Sequence, residues 1–328
     1  MRVAVSGSIA TDHLMTFPGR FAEQLLGAEL DHLSLSFLVD DLVIRRGGVA
    51  ANVCYGMALL GLRPALVAAV GGDFTDYGAW LAERGVQLAV HVSDRAGTAR
   101  FFVTTDRDNS QLASFYPGAM SEAAESTLDD AARLLDGLDL VVVSPNAPEA
   151  MLRHTAECRD RGYPFAADPS QQLARLSGEQ IRELVHGAAY LFGNEYEMAL
   201  LREKTGWTEA DLSRLVDVRI TTLGPRGMLI SGPDGELARV PAAPPSGIVD
   251  PTGVGDALRA GYLTGRAAGL GHLRAGQLGC QLATLALEGA GPQDYTCTPG
   301  SLRERLTGSY GAETADEVLA RIPAGSRG

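Results

Sequence analysis

The sequence predicts an α/β protein in which helices cover both faces of a mainly parallel central sheet. Short apolar runs alternate with segments whose apolar residues recur at helical spacing, which is the pattern of successive strand–helix–strand units. The chain has 328 residues and 45% of them are hydrophobic, so it can bury a large sheet on both sides.

The predicted strands of the large sheet are short apolar runs bounded by glycine or polar residues. In chain order they are residues 3–8, 65–70, 140–144, 165–168, 190–192 and 220–223. Helices with one apolar side are predicted at residues 49–60, 148–161, 195–204 and 254–268. Residues 227–240 surround a Gly-Pro-Asp-Gly turn and predict an antiparallel hairpin at the sheet edge.

Two segments, residues 34–46 and 99–116, lack any helical period and predict extended strands with short turns. Inserted early in an α/β chain, they are expected to form a small β-sheet lid. Because unpaired strand edges invite a partner, the lid strands also suggest a homodimer. The expected domains are a large α/β domain of residues 1–11, 47–97 and 117–328, and a lid of residues 12–46 and 98–116.

The acidic balance and the near absence of lysine narrow the possible functions. The 40 acidic and 28 basic residues give a net charge of −12, which argues against nucleic acid or an anionic membrane as partner. Lys204 is the only lysine and follows no glycine, so a GxxxxGK[ST] phosphate loop is excluded. Its place at the polar end of a helix indicates an exposed residue. No GxGxxG follows the first strand, which disfavours a dinucleotide-dependent oxidoreductase.

Cysteine and histidine spacing offers no metal or disulfide framework. The four cysteines form no CxxC pair and the six histidines form no HxxxH pair, so neither a zinc site nor a disulfide scaffold is expected. The first residues read as a strand and not as a signal peptide, and no run approaches the ~18 apolar residues of a membrane span. We therefore expect a cytoplasmic protein.

The strongest local motif runs from Asp250 to Asp256 and leads directly into a predicted helix. Gly253 and Gly255 allow the backbone to approach a ligand closely, and the unpaired N–H groups of a helix start attract an anion such as phosphate. Asp256 lies within the first helical turn. The spacing leaves two interpretations open, a helix-capping residue or a general base beside the phosphate.

This run resembles the carboxyl-terminal signature Asp-x-Thr-Gly-Ala-Gly-Asp of the ribokinase-like, or phosphofructokinase-B, family of small-molecule kinases. Val254 stands where the family usually has alanine, at a position that contributes its backbone N–H. The resemblance implies a ribokinase-like fold with a lid. It also implies that Gly253, Val254 and Gly255 stabilise the transferring phosphate and that Asp256 is the general base.

Residues 47–54 resemble the amino-terminal signature of the same family. The resemblance implies that Gly48 and Asn52 bind substrate, although from the residues alone a plain turn followed by a surface asparagine remains open. Asp12, shortly after the first strand, resembles the early aspartate that takes two sugar hydroxyls, since a carboxylate accepts two hydrogen bonds.

The resemblance also implies sites for ATP and metal ions. Asn194 and Glu197 resemble the N-x-x-E motif that organises Mg²⁺ through water, although a solvated helix start explains them equally well. A monovalent cation, with K⁺ as the candidate, is implied beside Asp250 and Thr252 with the loop of residues 289–291. The residues assigned to the nucleotide are Asn194, Thr222, Gly224, Gly227, Thr252, Gly253 and Gly255.

Within this family, residues 5–14, 34–40, 114–120 and 168–175 resemble the actinobacterial adenosine kinases. This implies transfer of the ATP γ-phosphate to the 5′-hydroxyl of adenosine. A ribokinase, another sugar or nucleoside kinase, and a non-catalytic nucleoside sensor remain alternatives. Phe102 and Phe115 are expected to stack on the base, with packing inside the lid as the alternative. The other residues implied in substrate binding are Ser8, Ser36, Gln171, Gln172 and Arg175.

Overall fold

The computed structural model describes residues 1–25 and 36–322. Their strands form a nine-stranded and a four-stranded sheet. The large sheet contains β1 (Val3–Ser6), β4 (Ala65–Gly71), β5 (Gln87–Ser93), β8 (Leu140–Val143), β9 (Phe165–Ala167), β10 (Tyr190–Asn194), β11 (Val218–Thr222), β12 (Met228–Gly232) and β13 (Gly235–Val240). The small sheet, the lid, contains β2 (Ala10–Thr16), β3 (Asp41–Gly47), β6 (Ala99–Thr105) and β7 (Gln111–Tyr116).

The large sheet has the order β13-β12-β11-β10-β9-β8-β1-β4-β5. The seven strands from β11 to β5 are parallel, and β12 and β13 pair antiparallel at one edge. These pairings confirm the predicted α/β class and the predicted edge hairpin. The central strands are buried over their whole length, which is why they read as continuous apolar runs in the sequence.

Helices pack on both faces of the large sheet and create two apolar cores. The described helices are α1 (Phe21–Leu25), α2 (Val49–Leu59), α3 (Thr75–Glu83), α4 (Leu128–Leu135), α5 (Pro148–Arg161), α6 (Gly178–Val185), α7 (Glu195–Thr205), α8 (Glu209–Leu215), α9 (Val254–Ala267), α10 (His272–Glu288), α11 (Pro299–Tyr310) and α12 (Ala312–Leu319). Val5 and Val142 join the core that contains Tyr262 of α9. Their neighbours Ala4 and Val141 join the core that contains Met151 of α5, as strand alternation requires.

In the lid, β2 pairs parallel with β6 and antiparallel with β3, while β7 pairs antiparallel with β6. The strands predicted over residues 99–116 are therefore present. The strand predicted over residues 34–46 is shorter, because residues 36–40 form none, and residues 34–35 lie outside the described residues. Phe37 instead packs its ring against those of Phe17 and Phe21, at centroid distances of 4.9 and 5.4 Å.

Across residues 1–25 and 36–322, no helix is both long and apolar enough to cross a lipid bilayer.

Candidate active site

The carboxyl ends of three neighbouring parallel strands carry polar residues. These ends lie together at the carboxyl-terminal edge of the large sheet. Asp168 follows β9, Asn194 ends β10 and Thr222 ends β11. Asn194 and Thr222 are direct partners in the β10–β11 register, so two residues predicted to meet the nucleotide lie side by side. Open α/β sheets bind ligands at this edge, which makes it the candidate active site.

The amino-terminal end of α9 provides an anion site at this edge. Gly253 precedes the helix with φ = 77°, and a Cβ there would lie 2.5 Å from Cβ of Pro292, so the position requires glycine. Because α9 begins at Val254, the N–H groups of Gly255 and Asp256 precede the regular helical hydrogen bonds. They are available to an anion, as the sequence predicts.

Asp256 is not the N-cap of α9, which is Gly253. Its Oδ2 instead accepts a hydrogen bond from Nδ2 of Asn52 at 2.8 Å. Burial raises the pKa of Asp256 to about 6, while Arg259 and the Asn52 hydrogen bond oppose this rise. At neutral pH the carboxylate is mostly ionised, and its raised pKa makes it a better proton acceptor than an exposed aspartate.

Asn52 is a buried residue of α2, not a surface asparagine, with 5% of its area exposed. The preceding loop is held tightly, because Gly48 has φ = 97° and a Cβ there would lie 2.5 Å from Cα of Ile9. Oγ of Ser8 accepts the N–H of Val49 at 3.1 Å. Gly48, Ser8 and Asn52 thus join the connection between β1 and β2 to the start of α2, directly beside Asp256.

Asp12 reaches the site from the lid. Burial and the charge of Asp250 raise its pKa to about 6, and Arg45 opposes this rise. Arg45 pairs with Asp12 in the β2–β3 register and donates from Nη1 to Oδ2 of Asp250 at 2.8 Å. This ion pair ties the lid strand β3 to the run that leads into the anion site.

Comparison with known proteins identifies the family. Residues 9–299 match the family described as "pfkB family carbohydrate kinase". The chain belongs to this family. It is therefore a kinase, an ATP-dependent phosphotransferase.

The kinase is also similar to individual proteins. It is 31% identical over 274 residues to a nucleoside kinase of Methanothermobacter thermautotrophicus, covering 81% of this chain and 86% of the relative. It is 28% identical over 266 residues to a nucleoside kinase of Methanocaldococcus jannaschii, covering 79% and 85%. A solved structure of the Burkholderia thailandensis nucleoside kinase in complex with inosine has a TM-score of 0.81 and 33% identity, covering 94% and 98%.

The lid of this kinase has two chemically different faces. Residues directly opposite one another in paired strands share a face, which places Arg45, Asp12, Phe101 and Phe115 in one row. We call this the inner face, because Arg45 bonds from it to Asp250. The two predicted stacking residues do not share it. Phe115 lies on the inner face, whereas Phe102 lies on the outer face between His13 and Ser114.

Phe102 packs its ring against that of His13 at a centroid distance of 4.7 Å. This contact matches the alternative of packing within the lid. Phe101, which the sequence analysis did not select, occupies the inner-face position next to Asp12. The signal that separates the two adjacent phenylalanines is strand register, which a single sequence does not contain.

The three predicted substrate residues in the segment after β9 differ in their exposure to solvent. Gln171 and Arg175 are exposed, whereas Gln172 is buried and donates from Nε2 to the carbonyl of Asn146 at 2.7 Å. Gln172 is therefore held inside the protein instead of presenting its amide to a base. Ser36 is exposed and directly follows the residues that the structure does not describe.

The single lysine holds this segment in place. Nζ of Lys204 donates to the carbonyl oxygens of Leu173, Ala174 and Leu176 at 2.7 to 2.9 Å. It therefore closes the end of the short helix Ser170–Ala174 and is only partly exposed. The position of Lys204 at the polar end of a helix predicted an exposed residue, whereas three hydrogen bonds hold it in the structure.

The residues predicted to bind Mg²⁺ fit such an ion through water. Asn194 and Glu197 form a reciprocal capping box at the start of α7, and Oγ of Ser170 donates to Oε1 of Glu197 at 3.2 Å. A carboxylate has about four lone-pair positions, so Glu197 can still accept hydrogen bonds from waters of a magnesium ion. The solvated helix start and the metal role are compatible.

The residues predicted to bind a monovalent cation fit it poorly. Oδ2 of Asp250 accepts from Arg45, and its Oδ1 accepts from the N–H of Thr252 at 2.8 Å. Both oxygens keep free lone pairs, but the Arg45 guanidinium already places a positive charge at this carboxylate, and that charge repels a second cation. Gly291 of the implicated loop also lies against this side chain, since a Cβ there would be 3.0 Å from Cδ of Arg45.

A buried ion pair lies near Asp256, and no sequence motif indicated it. Nη2 of Arg259 donates to Oδ1 of Asp168 at 2.6 Å, and Nε lies 2.6 Å from Oδ2. Arg259 is 7% exposed and Asp168 1%. The pair joins α9 to the end of β9, and Nη1 of Arg259 lies so close to Gly255 that a Cβ there would be 2.7 Å away. It supports the anion loop from within the protein.

Proposed function

We propose that this kinase transfers the γ-phosphate of ATP to the 5′-hydroxyl of adenosine. The observation that carries the proposal is the inner-face row of the lid, which aligns Phe101 and Phe115 with Asp12 on the face whose Arg45 bonds to Asp250. A purine needs flat apolar contacts that a bare sugar does not need. The two archaeal relatives are named nucleoside kinases, and the Burkholderia structure contains inosine, which supports a purine nucleoside.

In this proposal the ribose is held by Asp12 of the lid and by residues at the start of α2. The Asp12 carboxylate accepts hydrogen bonds from two hydroxyls, and Gly48 lets the backbone approach the sugar. Asn52 contributes its amide beside Asp256. Positioning the 5′-hydroxyl against the phosphate supplies much of the rate, because phosphoryl transfer depends mainly on alignment and charge stabilisation.

Asp256 then takes the proton of the 5′-hydroxyl as the oxygen attacks the γ-phosphorus, and the bond from that phosphorus to the β-phosphate oxygen breaks so that ADP leaves. The free N–H groups of Gly255 and Asp256 stabilise charge on the transferring phosphoryl group. Mg²⁺, when bound near Asn194 and Glu197, neutralises charge on the phosphate oxygens. In this proposal Thr222, Gly224 and Gly227, at and after the end of β11, line the site for the nucleotide.

Phe101, rather than Phe102, is proposed to stack on the base together with Phe115. Phe101→Ala should raise the KM for adenosine at least ~5-fold with little change in kcat, because base–aromatic stacking contributes about 1–3 kcal/mol. Steady-state kinetics measures this. The matched control is Phe102→Ala, the same truncation one position along β6 on the outer face, which should leave KM unchanged. A larger rise in KM for Phe102→Ala would reverse the assignment of the faces.

The proposed substrate is tested by an ADP-release assay with ATP and Mg²⁺, with and without K⁺. Adenosine, inosine, guanosine, cytidine, ribose and fructose are compared in parallel, and mass spectrometry identifies the product. We expect the highest kcat/KM for adenosine with AMP as product. A preference for ribose would indicate a ribokinase. Nucleoside binding in calorimetry without turnover would indicate a sensor.

We further propose that the kinase forms a homodimer through the lid. Four apolar side chains on its outer face have 46% to 58% of their surface exposed: Leu42, Ile44, Leu112 and Tyr116. The strand pairings place all four on the same face as Phe102. Sedimentation equilibrium measures the mass, and a monomer at micromolar concentration would contradict the proposal.

A further inference from the structure

A chain of buried hydrogen bonds connects the lid to Asp256. The Tyr77 hydroxyl donates to the carbonyl of Gly47, the last residue of β3, at 3.0 Å. Nε2 of Gln293 donates to the Tyr77 hydroxyl at 2.5 Å and to Oδ1 of Asn52 at 2.7 Å. Nδ2 of Asn52 then donates to Asp256 at 2.8 Å. Tyr77, Gln293 and Asn52 are each 7% exposed or less.

The direction of every hydrogen bond in this chain is fixed by its two ends. The Gly47 carbonyl and the ionised Asp256 carboxylate can only accept. Tyr77 must therefore donate to Gly47, and its oxygen is left to accept from Gln293. Asn52 must turn its amide hydrogens to Asp256, and its oxygen then faces Gln293. Only one orientation of the two amide groups satisfies both ends.

We propose that Gln293 is a positioning residue that acts through Asn52. By donating to Oδ1 of Asn52, it holds the amide hydrogens of Asn52 on Asp256 and keeps Asp256 a hydrogen-bond acceptor. This inference rests on the proposed role of Asp256 as general base and adds the residue that orients its partner. Gln293 is 241 residues from Asn52 in the chain, in the segment after α10.

The environment of Gln293 supports a role for its donors. Its Oε1 is buried and has no hydrogen-bond partner among residues 1–25 and 36–322. A buried acceptor without a partner destabilises the fold, so an apolar side chain would suit a purely structural position better. The NH₂ group, by contrast, makes two hydrogen bonds.

A protonated Asp256 would have to donate its proton, and the nearest amide oxygen, that of Asn52, already accepts from Gln293. This series of hydrogen bonds therefore stabilises the ionised form of Asp256. It opposes the effect of burial, which raises the pKa of Asp256 to about 6. The other groups facing Asp256 are Arg259 on the same helix, Asp168 after β9 and the Tyr295 hydroxyl after α10. None of them changes in the variants below.

The test is the pH dependence of kcat at saturating nucleoside, which avoids the effect of Asp12 titration on binding. Gln293→Leu removes both donors without adding charge and frees Asn52 to turn. We expect the acidic limb of the pH–kcat profile, where kcat falls as Asp256 is protonated, to move up by about one pH unit. At a pH well below the midpoint of this limb, the shift equals a ten-fold loss of rate. Gln293→Glu, which keeps the side-chain shape, should move the limb further in the same direction. It also covers the case that the leucine variant does not fold.

Tyr77→Phe is the matched control. It removes the two hydrogen bonds that involve the Tyr77 hydroxyl but leaves the Gln293–Asn52 bond in place. It should lower the melting temperature without moving the acidic limb. Equal limbs in the wild type and both folded Gln293 variants would overturn the positioning role. If Asp256→Asn keeps both the wild-type rate and the limb, the base assignment fails instead, so the two failures are distinguishable.

Discussion

Asp256→Asn is expected to lower kcat by at least ~100-fold while the KM for the nucleoside changes little. General-base catalysis contributes about 10²- to 10⁴-fold, and an amide cannot accept the hydroxyl proton. Asparagine keeps the shape of the side chain and a hydrogen-bonding partner for Asn52, so the substrate site should remain intact. The loss should therefore fall on the chemical step.

Steady-state kinetics, nucleoside calorimetry and thermal unfolding of this variant separate chemistry from binding and folding. The acidic limb of kcat near pH 6, which the raised pKa of Asp256 predicts, should disappear with the carboxylate. The sign follows from the role, because Asp256 is active only when ionised and the wild-type rate must fall as the pH drops through its pKa. A variant with near wild-type kcat and unchanged stability would rule out Asp256 as the base.

Most strands of the large sheet were predictable because both of its faces are covered. The edge strand β5 (Gln87–Ser93), most of whose residues are only partly buried, was not predicted. A strand buried on both sides must be apolar at every position, as β4 and β8 are, and the polar or glycine residues beyond its ends show its limits. Helix α5 was predicted to the residue, since Pro148 suits a first helical position and Gly162 adopts the left-handed conformation after the last. Local chemistry is sufficient in such cases.

Side-chain placement in the lid could not be predicted in the same way. Phe101 and Phe102 are chemically identical neighbours, and only the pairing of β6 with β2 decides which of them shares a face with Asp12. Gln171 and Gln172 present the same problem, because burial of one side chain depends on a contact with Asn146, 26 residues away. A motif identifies residue types at a site, but register and tertiary contacts decide which copy is used.

The contacts behind the site were beyond the sequence for a further reason. Asp168 and Arg259 are 91 residues apart, and each alone resembles an ordinary polar residue at a strand end or on a helix. Gln293 likewise carries no local signal. The motifs indicated Asn52 and Asp256, which are proposed to act at the substrate, but not the buried groups that contact them or lie behind them.

Asp168→Asn is expected to lower the free energy of unfolding by about 3–5 kcal/mol, because it leaves the Arg259 charge buried without its partner. Denaturant unfolding measures the change. The matched control is Asp129→Asn, which breaks the exposed ion pair with Arg161 and should cost less than ~1 kcal/mol. If the two variants lose equal stability, the buried pair does not need its charge balance. If Asp168→Asn instead lowers kcat while stability is kept, Arg259 acts on the anion loop without holding the fold.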